Sequence, residues 1–269
     1  MLAPELQSEL ERTRKEMQQG ALPDDARHFR AIAGDNTVSI LDDKGREPDS
    51  ESRQVGMAGG QLAVSNPTPA EPPALPGEHL SVRDITRTIN GERYHLNAAS
   101  FFQANNDLLP SLIESAIGVE TGQTAIELYC GVGLFTVPLA RRFEKVIGVE
   151  GDAFATDFAR QNLADANLGN AKIVTEDVAD WLEPKSDDVE GALDFLLLDP
   201  PRTGAESRVI SGILRLKPKR ICYVSCDPAT LARDLKKLVA GGYQLDTLTA
   251  FDMFPQTHHV ETVARLILT

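Results

Sequence analysis

The sequence predicts an α/β fold: a mostly parallel seven-stranded sheet with an antiparallel edge hairpin, preceded by a small α+β lobe. Three observations carry this. From about residue 105, helix-like stretches alternate with short, nearly continuous apolar runs. That is the pattern of parallel strands covered by helices on both faces. The last two runs are separated only by the short loop 252–257, so they are expected to pair antiparallel. Before residue 100 the chain instead shows short β-prone pieces, turn signals and a proline-rich stretch.

Taken in order, residues 1–19 read as a helix, with Leu6, Leu10 and Met17 near one face and Gly20 as a stop. Residues 27–64 alternate HFRAIA, GDN and TVSILDD, which suggests hairpins. Residues 66–77 hold five prolines in twelve positions, a linker or long loop. SVRDITRTI and ERYHLN read as strands around an Asn90-Gly91 turn. A lobe over 1–100 and a second domain over 101–269 follow. In the second, the helical DLLPSLIESAIGV precedes the strand Thr124–Leu128. The remaining strands are KVIGVE, AKIVTE, LDFLLLD, RICYVSC, YQLDTLTAF and HHVETVARLIL.

The 269 residues are 42% hydrophobic and 25% charged, which excludes collagenous or wholly disordered chains. No apolar run approaches the ~18 residues that span a bilayer, and Met1–Lys15 has no apolar signal-peptide core. Three cysteines do not make a disulfide framework. The expected setting is cytoplasmic, with no membrane. A net charge of −13 argues against a protein that holds nucleic acid by bulk charge. Between Arg202 and Lys237, however, nine basic residues meet three acids, a local +6. Two readings stand: solvated helix faces, or a basic patch able to hold phosphates.

The first strand of the sheet runs into Glu127-Leu-Tyr-Cys-Gly131-Val-Gly133-Leu-Phe-Thr136. The two glycines permit a tight turn and close approach of backbone to a ligand. The third glycine of the dinucleotide fingerprint is replaced by Thr136, which disfavours a pyrophosphate cradle. The loop suits S-adenosylmethionine instead. Glu150, 23 residues after Glu127, ends the second strand and can accept both ribose hydroxyls. Glu176-Asp177 ends the third, where a side chain can meet the adenine amino group. These features predict a Rossmann-like, class I S-adenosylmethionine-dependent methyltransferase fold.

The fourth strand delivers Asp199-Pro200-Pro201-Arg202 at its C-terminal end, where open α/β sheets bind ligands. Amino-group methyltransferases carry a similar motif with an aromatic in fourth place. Arg202 there argues against amine methylation. The fifth strand delivers Cys226 beside the N-terminus of the helix ATLARDLKKL, which should favour thiolate. The alternative is a buried small hydrophobe, the reading preferred for Cys130 and Cys222. Glu261 is a carboxylate in an apolar strand. Burial there would raise its pKa and suit it to general-base work; the alternative is a solvent-facing edge residue. His258 and His259 lack a matching ligand set and read as structural or substrate-facing, so no metal site is expected. One nucleophile, one base and one methyl donor would solve one problem, methylation of C5 of a uracil. That chemistry also requires the base to leave its stack.

The residues resemble the bacterial RNA uracil-C5 methyltransferases that make 5-methyluridine in tRNA and 23S rRNA. The matching stretches are SFFQANNDL, ELYCGVGLFTVPLA, IGVEGD, LLLDPPRTG, YVSCDPATLARDL and FDMFPQTHHVETVARL, in order over about 100–269. The resemblance implies that Gln103, Tyr129, Gly131, Gly133, Glu150 and Asp177 contact the cofactor. It implies that Asp199 holds cofactor or target base, with Arg202 also on the substrate. Cys226 would be the nucleophile and Glu261 the proton acceptor. Leu134 stands where some members have an Asn that touches the cofactor. A short member is expected, without the family's basic RNA-binding β-barrel. No cysteine precedes Cys130, so no iron–sulfur cluster is expected. The implied partner is structured rRNA or tRNA; two candidates stand for the role of the barrel, residues 1–100 or an accessory RNA-binding protein. Two rivals remain at this point: a class I methyltransferase on another nucleobase or small molecule, and an RNA-binding protein that has lost turnover.

Overall fold

The computed structural model describes residues 11, 29–35, 38–42, 84–103, 105–183, 192–253, 257 and 259–269. Glu11 is helical, but the rest of the helix expected over 1–19, and the linker expected over 66–77, lie outside the described residues. The chain divides into two compact units, Met1–Ile85 with Asn97–Ala99, and Thr86–Leu96 with Ser100–Thr269.

In the first unit, β1 (Phe29–Ala33) and β2 (Val38–Asp42) form an antiparallel pair, in register from Phe29 opposite Asp42 to Ala33 opposite Val38. The buried Ser39 hydroxyl accepts the Ala98 N–H at 3.0 Å.

The second unit holds, from Thr86 on, the hairpin β3 (Ile85–Ile89) and β4 (Glu92–Leu96). Its turn has Asn90 at φ 51° and Gly91 at φ 82°. Two successive positive φ values are what a two-residue type I′ turn requires, which explains the Asn-Gly pair. Asn162 is wholly buried and ties this hairpin to the sheet. Its Oδ1 accepts the His95 N–H at 2.7 Å, while its Nδ2 donates to the carbonyls of His95 and Val132.

The main sheet contains β5 (Gly122–Leu128), β6 (Phe143–Glu150), β7 (Ala171–Thr175), β8 (Phe195–Leu198), β9 (Arg220–Ser225), β10 (Tyr243–Phe251) and β11 (Glu261–Leu268). Their order is β10-β11-β9-β8-β5-β6-β7. The pairs within β7-β6-β5-β8-β9 are parallel, and β11 runs antiparallel to both β9 and β10. The seven expected strands and the edge hairpin are thus present. α1 (Leu109–Ile117) precedes β5, and between the strands lie α2 (Thr136–Ala140), α3 (Ala153–Asp165), α4 (Val178–Trp181), α5 (Ser207–Leu216) and α6 (Pro228–Ala240). All four residues of β8 are buried, as a central strand covered on both faces demands.

This topology positions the site. Parallel β5, β6, β8 and β9 all end at one edge of the sheet, and each hands over a chemically active residue there. Because β11 is antiparallel, with Thr262 opposite Ser225, its first residue, Glu261, arrives at that same edge.

Candidate active site

The glycine loop is left-handed three times in five residues: Tyr129 at φ 63°, Gly131 at φ 53° and Gly133 at φ 88°. Only glycine adopts such values at little cost. The turn lets Gly131 donate its N–H to Glu150 Oε2 at 3.0 Å, while the Asp152 N–H reaches Glu150 Oε1 at 2.9 Å. Both oxygens of Glu150 are thereby aimed by backbone. A Cβ built on Gly131 meets nothing within 4 Å, so the loop borders open space. That space is a cleft lined among others by Phe101, Gln103, Tyr129, Gly131, Leu134 and Asp199. Among the described residues its lining includes two carboxyl groups, Glu127 and Asp199, and no lysine, arginine or histidine. It therefore suits a neutral or cationic ligand better than a pyrophosphate. Behind it, buried Glu127 accepts a short hydrogen bond from Thr136 Oγ1, and burial holds its carboxyl well above the usual range. Asp177 lies outside this lining. Its carboxylate caps α4, accepting the N–H groups of Ala179 and Asp180 at 2.9 and 3.1 Å.

The reactive groups converge beside the cleft. Gln103 is buried, and its Nε2 donates to Asp199 Oδ2 at 3.4 Å. Its Oε1 is buried with no hydrogen-bond partner. Arg87 holds this segment, donating to the Gln103 carbonyl at 3.0 Å and lying 5.3 Å above the Phe102 ring. Burial, and then the neighbouring Glu261, push the Asp199 carboxyl well above its ordinary range. Glu261 is 1% exposed, and neither of its oxygens has a hydrogen-bond partner. It sits between β10 and β9 rather than on an edge, which removes the solvent-facing alternative. Burial raises its pKa to about 7.

Cys226 is half-buried. Its thiol departs from the sequence expectation, because its pKa is raised, not lowered. Burial is the main cause, and the Glu261 and Asp199 carboxylates add to it. The helix end that should favour thiolate is already occupied: Asp227 accepts the N–H groups of Ala229 and Thr230 at 2.9 and 2.8 Å. The opposing influence is the positive charge of Arg202, which lowers the thiol's pKa without reversing the net rise. Cys130 and Cys222 are buried, and burial raises both thiols. His258 lies outside the described residues. Among the described residues, no three His, Cys, Asp or Glu side chains are grouped to hold a metal ion.

Four of the nine basic residues between Arg202 and Lys237 are answered by acids. Arg208 pairs with Asp180 and Glu206, Lys219 with Asp194, Arg220 with Glu120, and Arg233 with Asp234. Sequence reasoning missed Arg87 and Phe101. Arg87 carries no local signal, since its partners lie 15 and 16 residues on. Phe101, 67% exposed at the cleft, sits in the recognised SFFQ stretch and could have been found there.

The buried carboxyls make stability depend on pH. Glu261 titrates near 7 when folded, against an ordinary 4.5. Between those values the folded chain holds the extra proton, so the contribution is full below pH 4.5 and is lost as pH rises through 7. A shift of that size corresponds to roughly 3 kcal/mol. Asp199 and Glu127 act in the same direction. The melting temperature should therefore fall as pH rises over this window, and less steeply in Glu261→Gln. Equal slopes in thermal melts of the two proteins would count against a protonated Glu261.

A family model for tRNA (uracil-5-)-methyltransferase matches residues 78–268. The chain belongs to this family. An uncharacterised RNA methyltransferase of Thermotoga maritima is 39% identical over 186 residues, 68% of this chain and 42% of that protein. A 23S rRNA (uracil(1939)-C(5))-methyltransferase of Pseudomonas putida is 42% identical over 167 residues, 61% of this chain and 36% of that protein. The chain thus spans about two fifths of the length of these tRNA (uracil-5-)-methyltransferase-family relatives. The solved tRNA (uracil-54, C5)-methyltransferase of Pyrococcus abyssi, in complex with S-adenosyl-L-homocysteine, is 26% identical with a TM-score of 0.65. The match covers 96% of this chain and 66% of that one. The sheet order and this likeness establish the class I methyltransferase fold.

Proposed function

We propose that this family member methylates C5 of a uridine in rRNA or tRNA through a covalent bond to Cys226. One observation carries the reading: Asp199 and Glu261, at the ends of two other strands, lie close enough to Cys226 to raise its pKa, and Glu261 close enough to Asp199 to raise that of Asp199. S-adenosylmethionine, when bound, supplies the methyl group. The lining of the cleft suits its chemistry: among the described residues it has apolar walls, two carboxyl groups and no cation to hold a pyrophosphate. Tyr129, Gly131 and Gly133 would shape its seat, Glu150 would take the ribose hydroxyls, and Asp177 would reach the adenine. Gln103 Oε1, buried without a partner, offers an acceptor to the ligand.

On the RNA side, Cys226 sulfur adds to C6 of the uracil. The C5–C6 π electrons move to C5 and delocalise onto O4, which makes C5 nucleophilic. After C5 is methylated, a Glu261 oxygen takes the C5 proton. The released electron pair restores C5=C6 and expels the Cys226 thiolate. Arg202 favours the thiolate at the start and the end of the cycle. Asp199, braced by Gln103, is placed to hold an edge of the base. The proposed setting is the cytoplasm. With a net charge of −13, the chain has no bulk attraction for phosphate. A further RNA-binding partner would supply that hold.

The test uses RNA in which 5-fluorouracil replaces uracil, incubated with the protein and S-adenosylmethionine. Fluorine does not leave C5 as a proton does, so the adduct should persist as a denaturant-stable, nuclease-sensitive band. Sequencing the trapped RNA would separate rRNA from tRNA as substrate. Absence of a band, with cofactor binding intact, would overturn the covalent reading.

A further inference from the structure

Two separate segments line the cofactor cleft: 101–103, and the glycine loop with Val132 and Leu134. Among the described residues of the lining none comes from the β3–β4 hairpin, yet the hairpin grips both segments. Buried Arg87 on β3 donates to the Gln103 carbonyl at 3.0 Å. Tyr94 on β4 is 1% exposed, and its hydroxyl donates to the Leu134 carbonyl at 3.2 Å. The rings of Tyr94 and Phe102 lie 6.2 Å apart, centroid to centroid, so one side chain meets both segments. At His95 the hairpin backbone bonds Asn162, which also donates to the Val132 carbonyl at 2.9 Å.

The sequence explains why the Leu134 carbonyl takes a partner from outside. On either side of it, the carbonyls of Gly133 and Phe135 accept the N–H groups of Val137 and Leu139, four residues on, at 3.1 and 2.9 Å. Four residues after Leu134 stands Pro138, which has no N–H. A buried carbonyl without a partner is costly, and the Tyr94 hydroxyl fills the vacancy. Burial pushes the phenol pKa up, so it stays protonated as the donor.

We propose that Tyr94 is a positioning residue for the cofactor: through the Leu134 carbonyl and the Phe102 ring it fixes the glycine loop relative to segment 101–103. Tyr94 does not itself line the cleft. A loop with glycines at 131 and 133 has several conformations open to it, and a tether at Leu134 selects one before the ligand arrives. The grip is mutual. Among the described residues β3 and β4 pair only with each other, and a lone two-stranded hairpin is marginal in water. A ligand that needs the tethered loop must therefore also stabilise the hairpin.

The proposal rests on this cleft as the cofactor seat, and its test needs no RNA. In calorimetric titration, Tyr94→Phe should bind S-adenosylhomocysteine about threefold to tenfold more weakly, since it removes one hydroxyl and keeps the ring. Tyr243→Phe is the control. It removes another buried bond, from the Tyr243 hydroxyl to the Pro218 carbonyl at 2.8 Å, where β10 pairs with Leu268 at the opposite end of β11 from Glu261. It should lower the melting temperature and leave the affinity unchanged. Arg87→Met, which frees the Gln103 carbonyl, should also weaken binding and carries the test if Tyr94→Phe does not fold. In the unaltered protein, S-adenosylhomocysteine should slow hydrogen exchange across Thr86–Leu96 by about threefold or more. Affinity of Tyr94→Phe within about twofold of wild type would overturn the proposal. So would an equal loss in Tyr243→Phe, which would reduce the effect to stability, or hairpin exchange indifferent to the ligand. Each of those outcomes leaves the cofactor seat standing. A wild type that bound no S-adenosylhomocysteine would remove the seat, and the role of Tyr94 with it.

Discussion

Cys226→Ala should abolish uridine methylation while leaving cofactor affinity within about twofold of wild type. Residual turnover should lie below ~1%, because no other group in the site can add to C6. The other two thiols are buried, with burial opposing their ionisation. Asp199 and Glu261 are carboxylates, weaker carbon nucleophiles than sulfur. Cofactor affinity should survive because the cleft lined by Tyr129, Gly131 and Leu134 does not include Cys226. Two assays check this together: methyl transfer from labelled cofactor into RNA, and calorimetric titration with S-adenosylhomocysteine. Turnover above ~1% with intact binding would sink the nucleophile assignment. Loss of binding would show that the substitution damages more than the thiol. The raised pKa of Cys226 adds a pH signature. Activity of the wild type should climb with pH as the thiol ionises, since the thiolate is the attacking form.

The thiol also shows where reading a sequence stops. β8 was legible because a strand buried on both faces must be apolar throughout, and FLLL announces that without help from the rest of the chain. The hairpin at Asn90-Gly91 was legible because few residue pairs tolerate two positive φ values. Even β10, mostly exposed along its length, was found from its β-prone composition and its short connection to β11. The ionisation of Cys226 was not legible. Its local context, a helix start, pointed to a lowered pKa. The groups that decide it come from β8, the loop after it and β11, and Asp227 removes the local effect by capping the helix itself. Tyr94 was hidden for the same reason. In ERYHL it reads as one more core residue of a strand, and only the fold brings its hydroxyl to Leu134. The family resemblance could suggest Gln103, and its place at a strand end Asp199, each separately. Their contact, across 96 residues, belongs to the tertiary structure.

Glu261→Gln should convert the proposed catalyst into a trap on ordinary, unfluorinated RNA: a methylated covalent adduct accumulates and turnover falls by about 10²–10⁴. Two effects push the same way. The amide takes no proton from C5, so elimination of the thiolate stalls. The amide also carries no charge, so one of the two carboxylates that raise the Cys226 pKa is gone, and the thiol ionises and adds more readily. Formation is favoured as release is blocked. Asp199 is the rival base, because its pKa is also raised. The geometry separates them. Asp199 Oδ2 is engaged by Gln103, whereas both Glu261 oxygens lie buried with no hydrogen-bond partner, their lone pairs open to a proton. Asp199→Asn should therefore weaken base or cofactor binding without building up adduct. The comparison is made on denaturing gels with labelled cofactor, where label retained on protein and sensitive to nuclease marks the methylated adduct. If label accumulates in Asp199→Asn and not in Glu261→Gln, the proton goes to Asp199, and Glu261 serves to tune its neighbours. Accumulation in Glu261→Gln alone assigns the final step to an oxygen that burial has brought to a pKa of about 7, where it can both take a proton from C5 and give it up to water within one cycle.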